Sequence, residues 1–185
     1  MAHSTKGQFL IASPSLVTPF FSKTVILMFE HNDDGAMGVV INRATRATVA
    51  EIAEQVFSEP LDWDKEILLG GPVPGPLLVL HSEAHLADQT VIDGVYSSVD
   101  PAKVEMLLRG NIEPCLVVAN YSGWGPGQLE GEMAEDSWLV CPASDALVFS
   151  EERDELWDTV VALARHARGH EIFGINAGQT NPEWN

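Results

Sequence analysis

A glycine-rich turn between two apolar runs constrains the fold of this chain more than any other stretch. The apolar runs, Cys115–Ala119 and Trp138–Cys141, have the composition of buried strands. Between them, alternate glycines from Gly123 to Gly127 permit backbone angles that other residues avoid, and Pro126 suits the first position of a helix. The sequence therefore predicts a strand, a tight turn, a short helix and a second strand, in that order.

The same turn is the first candidate for a ligand site. A helix N-terminus offers free backbone N–H groups and a partial positive charge. Ser122 lies in the turn, Trp124 would supply a flat apolar surface, and Gln128 would supply amide hydrogen bonds. The glycine spacing matches neither a dinucleotide-binding fingerprint nor a Walker A loop. The simpler alternative, favoured on the residues alone, is a tight turn with Trp124 packed in the core.

The remaining periodicity predicts alternating strands and helices in one domain. Strands are predicted at Gln8–Ala12, Thr24–Phe29, Met37–Asn42, Ile67–Leu69, Leu77–Leu80 and Val91–Tyr96, and helices at Val49–Phe57, Pro101–Arg109 and from Glu151 to about Ala167, where Gly169 would end the last one. The second and third strands would form an antiparallel hairpin. We expect a core over about residues 7–168 and a loosely held tail over 169–185.

The charge excludes some functions. Ten Lys and Arg stand against 27 Asp and Glu, a formal net charge of −17. No basic patch is evident, so direct binding to nucleic acid or to anionic membranes is disfavoured. No apolar run reaches the roughly 20 residues that span a bilayer. We expect a soluble, cytoplasmic protein without a cofactor, and the sequence leaves the oligomeric state open.

Three polar clusters are weaker candidates for chemistry. His81 and Ser82 are adjacent and could act as base and nucleophile, but no nucleophile elbow frames them. The segment His31–Asp34 could bind a divalent cation, although a turn rich in Asn and Asp is the simpler interpretation. The acidic residues from Glu130 to Asp136 suggest a solvated helix face. We therefore predict neither a metal site nor a catalytic residue.

Three motifs together resemble the AlgH/YqgE family of bacterial proteins. They are His31–Arg43, then Gly70–Val73 with Leu80-His81, then Gly123–Glu132 with Trp138-Leu139. Their order and spacing match over roughly residues 7–165, with one departure at Asn120, where the family pattern usually has glycine. The resemblance implies a compact α/β (α+β) domain with a strongly curved, barrel-like mixed sheet flanked by helices. It also implies a cytosolic location, but it does not imply any particular activity.

The preferred hypothesis is a non-enzymatic binding or regulatory protein. Three of its loops would converge on one groove for a small ligand or a peptide segment of a partner. These loops are Gly70–Val73 (with Gly71), His81-Ser82 and Ser122–Gln128 (with Trp124). One alternative is a hydrolase or transferase that uses His81 with Ser82. Another is a transcriptional regulator that acts indirectly, through a protein partner.

Overall fold

The strands form two packed sheets with helices on their outer faces. The structure is a computed structural model and describes residues 4–57, 60–61 and 63–173. The strands are β1 (Gln8–Ala12), β2 (Val25–Asn32), β3 (Gly35–Val40), β4 (Ala44–Thr48), β5 (Glu66–Leu69), β6 (Leu78–His81), β7 (Gln89–Ile92), β8 (Val95–Ser98), β9 (Cys115–Ala119), β10 (Ser122–Trp124) and β11 (Trp138–Pro142). The helices are α1 (Val49–Phe57), α2 (Pro101–Arg109), α3 (Gln128–Ala134), α4 (Asp145–Val148) and α5 (Arg153–Phe173), and a 3₁₀ turn lies at Ala84–Leu86. None of the described helices is both long and apolar enough to span a membrane.

The first sheet has the order β10-β3-β2-β1-β11 and is antiparallel throughout. The second has the order β4-β5-β9-β6-β8-β7, in which only β5 and β9 run parallel. Over the described residues neither sheet closes on itself. The fold is a mixed α+β domain, and the predicted single barrel-like sheet is not supported, because the strands divide between two open sheets.

Side-chain alternation along the strands explains this layered arrangement. In β1 and β2 one set of side chains, including Phe9, Ile11 and Leu27, faces the second sheet and packs with Leu80 and Val118. The α5 helix completes this central core with Leu156, Trp157, Val160, Val161 and Ala164. Residues of the opposite set lie on the outer face of the first sheet. Because both faces of β1 and β2 are covered, these strands are continuously apolar.

The two outer faces are covered by different helices. On the first sheet, Leu10, Ile26 and Met28 pack with Trp124 and Trp138 and with Leu129 of α3. On the second sheet, α1 and α2 contribute the buried side chains Val49, Val104, Leu107 and Leu108. The result is four layers: α1 with α2, the second sheet, the first sheet and α3, while α5 packs against the central core.

Most of the predicted elements are confirmed, and local chemistry explains their ends. The β2–β3 hairpin forms as predicted. At the start of α1, the hydroxyl of Thr48 accepts from the N–H of Glu51, whose carboxylate accepts from the N–H of Thr48, which makes a capping box. At the start of α2, the carboxylate of Asp100 accepts from two backbone N–H groups, those of Ala102 and Lys103.

Four details of the sequence prediction are wrong. The β4 strand was not predicted, because its polar residues lie at a sheet edge without an apolar pattern. The segment Val91–Tyr96, predicted as one strand with a bend or bulge at Asp93-Gly94, is instead parts of β7 and β8, which form a hairpin that turns at this bend, where Gly94 has φ 75°. Pro126 does not begin a helix: the Gln128 N–H donates to the Gly125 carbonyl and Gly127 has φ 74°, so Pro126-Gly127 forms a turn ahead of α3.

The fourth detail is that α5 continues past Gly169 to Phe173. A glycine inside a helix costs only about 1 kcal/mol relative to alanine, which a long helix tolerates. The predicted loose tail lies, beyond Phe173, outside the described residues.

The two sheets are joined where Gly70–Val73 crosses Asn120–Ser122. Val73 and Tyr121 exchange two backbone hydrogen bonds of 3.0 Å, and the Gly70 N–H donates to Ala119 of the second sheet. The Gly70 carbonyl accepts from the Val40 N–H of the first sheet and from the Ser122 hydroxyl. The chain passes from β5 and from β9 toward the first sheet at this point, which we call the crossing.

Close backbone contact at the crossing requires glycine at position 71. A Cβ added there would lie 1.9 Å from the Tyr121 carbonyl oxygen. We expect Gly71→Ala to lower the free energy of unfolding by on the order of 3 kcal/mol. Urea denaturation followed by circular dichroism measures this change.

Gly131 in α3 is the matched control, because a Cβ there would meet nothing within 4 Å. Gly131→Ala should raise the free energy of unfolding by about 0.5–1 kcal/mol through helix propensity. Equal urea midpoints for the two variants would contradict the close contact at position 71.

Candidate functional site

The crossing brings together two of the three motif loops that the sequence indicated. Gly71 lies against the backbone of Tyr121 and Ser122, and the Ser122 hydroxyl is fully buried on the Gly70 carbonyl. The third loop is elsewhere. His81 pairs with Cys115, at the opposite end of β9 from Ala119. At about 3.3 Å per residue that separation is roughly 13 Å along the strand, so the predicted groove of three loops does not form.

The departure from the family pattern at Asn120 has a conformational explanation. Asn120 follows β9 directly and has φ 65°, in the left-handed region. Glycine adopts this region freely, and asparagine is among the few other residues that visit it routinely. The backbone path that a glycine would take into the turn is therefore kept with asparagine.

An apolar cavity of about 330 Å³ lies beside the crossing. It is lined by Phe29, Met37, Val39, Pro76, Leu78, Val99, Asn120 and Tyr121. These residues come from the first sheet, from the second sheet, from the loop around Pro76 and from one stretch of the crossing, Asn120–Tyr121. The sequence did not indicate this cavity, because its walls are distant in the chain and apolar residues in strands ordinarily signify core.

Two of the residues that line this apolar cavity, Asn120 and Tyr121, have polar side chains. The Asn120 carboxamide and the Tyr121 hydroxyl make no hydrogen bond to any residue that the structure describes, and both residues are half-buried. The Tyr121 ring is held between two glycines, since a Cβ at Gly75 or Gly123 would lie 2.9 or 3.3 Å from it. A fixed aromatic ring and two available polar groups are the features that orient a ligand in an otherwise apolar pocket.

Trp124 and Gln128, predicted as ligand-binding residues, are engaged within the protein. Trp124 is buried against Phe21 and Trp138. Its indole N–H donates to the Glu132 carboxylate at 2.9 Å, and the Trp138 indole donates to the same oxygen at 2.8 Å. The alternative interpretation of the turn, in which Trp124 packs in the core, is confirmed at this residue.

Gln128 connects this carboxylate to the turn. Its amide nitrogen donates to Glu132 at 3.0 Å, and its amide oxygen accepts from the Gly125 N–H at 3.2 Å. One side chain of α3 thus receives both indoles and the amide, which fastens the helix to the outer face of the first sheet. The prediction of a merely solvated acidic face is wrong for Glu132.

Glu130 is also engaged, with His31. The Thr5 N–H donates to His31 Nδ1, so the ring carries its proton on Nε2, which lies 3.1 Å from the Glu130 carboxylate. A hydrogen bond to its own backbone and the one from His31 lower the pKa of Glu130. Because both nitrogens of His31 are occupied, the ring is not disposed to bind the cation considered for this turn. The Asp34 N–H donates to the Asn32 side chain, as in the predicted Asx turn.

His81 and Ser82 do not form a catalytic pair. The His81 ring is fully buried and its Nδ1 accepts from the Glu83 N–H, so Nε2 donates at 2.9 Å to the hydroxyl of Ser98 rather than of Ser82. Ser98 in turn donates to the Leu86 carbonyl at 2.6 Å. Burial lowers the pKa of His81, although Glu83 and Asp88 oppose this effect. The arrangement is a buried structural chain of hydrogen bonds without access for a substrate.

Two larger clefts lie near the start of α5. Their volumes are about 410 and 470 Å³, and they are lined chiefly by charged side chains such as Glu151 and Arg153. Arg153 donates to the carbonyls of Ile41 and Val148. Burial raises the pKa of the Cys115 thiol to about 12, so this wall of the second cleft is chemically inert. Among the described residues no group of three potential ligands is placed to hold a metal ion.

Comparison with known proteins supports the resemblance seen in the sequence. A sequence model of the AlgH-like family of unknown function (DUF179) matches residues 9–167. The chain belongs to the AlgH-like family. Among its relatives are UPF0301 proteins of Rhizobium meliloti, 38% identical over 85% of each chain, and Methylococcus capsulatus, 38% identical over 86% of this chain and 91% of that protein.

Two solved structures have a similar fold. The solution structure of the AlgH protein from Pseudomonas aeruginosa is 32% identical and covers 97% of this chain and 98% of that one, with a TM-score of 0.72. The crystal structure of a protein from Corynebacterium diphtheriae, 21% identical, has a TM-score of 0.70 over 85% of this chain and 86% of that one. The second likeness concerns the fold alone.

The Glu132 network leads to a prediction about stability. Glu132→Ala leaves two indole N–H groups without their acceptor, so the free energy of unfolding should fall by about 2 kcal/mol. Glu135→Ala, at an exposed position after the same helix, is the control and should change it by less than about 0.5 kcal/mol. Chemical denaturation measures the free energy of unfolding of both variants. The near-ultraviolet circular dichroism of the tryptophans should change in Glu132→Ala and stay as in the parent protein in Glu135→Ala. Equal stability of the two variants would contradict the network.

His81 leads to a prediction about pH. Because its pKa is lowered in the folded protein, the unfolded state binds a proton first as the pH falls below the ordinary value of 6.5. His81 therefore favours the folded state fully above this pH, and stability declines as the pH falls from about 6.5 toward the folded pKa. In His81→Gln the slope of unfolding free energy against pH should shrink by up to about 1.4 kcal/mol per pH unit in this range.

The same slope in His81→Gln as in the parent would show that His81 does not titrate differently in the folded and unfolded states.

Proposed function

We propose that this protein is a non-enzymatic binding protein that takes a small apolar molecule into the cavity beside the crossing. The proposal keeps the cytoplasmic location and the regulatory role expected from the sequence. It replaces the predicted groove of three loops with a cavity that Asn120 and Tyr121 line, directly before the predicted loop Ser122–Gln128.

One observation carries this proposal: the cavity combines an apolar wall with a few polar groups. Its volume of about 330 Å³ falls at the lower end of the range of small-molecule sites. Apolar cavities of about 150 Å³ already accommodate benzene, so a single ring with a substituent fits here. Transfer of such a ligand from water is favoured by roughly 25 cal/mol per Å² of apolar surface buried.

The residues at the cavity support binding rather than catalysis. Among the described residues that line it, the only polar side chains belong to Asn120 and Tyr121. Neither a carboxamide nor an ordinary phenol is a strong nucleophile or a base at neutral pH. Binding of a ligand is also compatible with the alternative of a transcriptional regulator that acts through a protein partner, which stays a prediction.

Methionine methyl resonances provide a direct test with toluene as the probe. Met37 lines the cavity, whereas Met106 lies exposed on α2. In protein labelled with ¹³C at the methionine methyl groups, toluene should shift the Met37 signal in a saturable manner and leave Met106 unchanged. Equal small shifts of both signals, or none up to the solubility limit of toluene, would overturn the proposal.

A pair of tryptophan variants controls for nonspecific effects. Val99 is 42% exposed at the cavity and Met106 is 58% exposed away from it. Val99→Trp should obstruct the cavity and weaken toluene binding at least about tenfold, whereas Met106→Trp should bind it as the parent does. The two substitutions add similar exposed aromatic surface. A difference in toluene affinity between the two variants therefore shows that toluene binds in the cavity.

A further inference from the structure

We propose that the ligand of this cavity is a neutral molecule with a carboxamide group beside its apolar body, and that Asn120 selects it. This inference rests on the proposed function, since it names the class of ligand for the same cavity. It depends on three observations: the fixed backbone of Asn120, its carboxamide without a hydrogen-bond partner among the described residues, and the apolar residues that line the rest of the cavity.

The backbone at Asn120 is fixed by its neighbours on both sides. Ala119 before it accepts from the Gly70 N–H, and Tyr121 after it exchanges two hydrogen bonds with Val73. The Asn120 side chain therefore starts from a defined position at the cavity wall. Because the backbone is already ordered, only the side-chain rotation of Asn120 has to be restricted when a ligand binds.

The Asn120 carboxamide has no hydrogen-bond partner among the described residues. It offers two N–H donors and one carbonyl acceptor. A ligand carboxamide has the same complement and can meet it with two antiparallel N–H···O bonds. Because the other cavity walls are apolar, such bonds compete less with water and are stronger than at an exposed surface.

Anionic ligands fit the same position poorly. An anion taken into an apolar cavity without a cationic partner loses its hydration, and neither an Asn120 carboxamide nor a Tyr121 phenol can carry a positive charge. The formal net charge of −17 further opposes the approach of an anion. A neutral amide is therefore favoured over a carboxylate of the same shape.

Three benzene derivatives of similar shape test the inference: benzamide, isopropylbenzene and benzoate. Their dissociation constants are measured from the Met37 methyl shift in the parent protein and in Asn120→Gly. Glycine adopts φ 65° without strain, so the variant should unfold at the same temperature as the parent or higher. The substitution thus removes the carboxamide and leaves the backbone unchanged.

We expect Asn120→Gly to weaken benzamide binding about fivefold or more and to change isopropylbenzene binding by less than about twofold. Benzoate should bind the parent protein more weakly than benzamide. In the parent protein the side-chain NH₂ resonances of Asn120 should shift with benzamide and stay in place with isopropylbenzene.

The outcomes separate this inference from the proposed function. If isopropylbenzene binds in the cavity but Asn120→Gly affects both neutral probes equally or neither, the cavity remains a binding site and the role of Asn120 is overturned. Tighter binding of benzoate than of benzamide overturns the preference for a neutral ligand. If no probe moves Met37 in the parent protein, the proposed function itself fails, and this inference fails with it.

Discussion

The contact between two stretches of backbone at the crossing determines the rest of the structure. Gly70–Val73 and Asn120–Ser122 approach so closely that no side chain fits at Gly71. The Gly70 carbonyl receives both a backbone N–H from β3 and the Ser122 hydroxyl, and thus links the two sheets. At this point the chain passes from β9 of the second sheet to β10 of the first. The glycines of Gly70–Val73 are therefore explained first by this close backbone contact.

The candidate site is a by-product of that geometry. At the crossing, two backbone stretches are in direct contact without a side chain between them. The cavity lies beside this contact. The outer face of the first sheet is closed in the opposite manner, because Glu132 gathers two indoles and an amide around one carboxylate. The two halves of this segment therefore differ: Asn120-Tyr121 lines the cavity, whereas Trp124–Glu132 packs against the outer face of the first sheet.

Local features of the fold were predictable from the sequence, and distant ones were not. The apolar runs of β1, β2 and β9 and the caps at Thr48 and Asp100 depend on residues close in the chain. The division into two sheets depends on pairings such as β10 with β3, which no local pattern reveals. Of the predicted site residues, Gly71 and Ser122 do meet, but His81 packs into the second sheet. The partners of Glu130 and Glu132 were missed because a carboxylate that binds a distant ring has the same local sequence as one in solvent.

The left-handed backbone at Asn120 bears on how members of such a family diverge. Glycine, asparagine and aspartate occupy this conformation more readily than other residues, and they present to the cavity no side chain, an amide and a charge. Evolution can therefore exchange these three residues and alter what the cavity receives while the strand order stays the same. Gly71, which touches the Tyr121 backbone across the crossing, allows no such exchange, so the fold is held constant at one side of the crossing while specificity varies at the other.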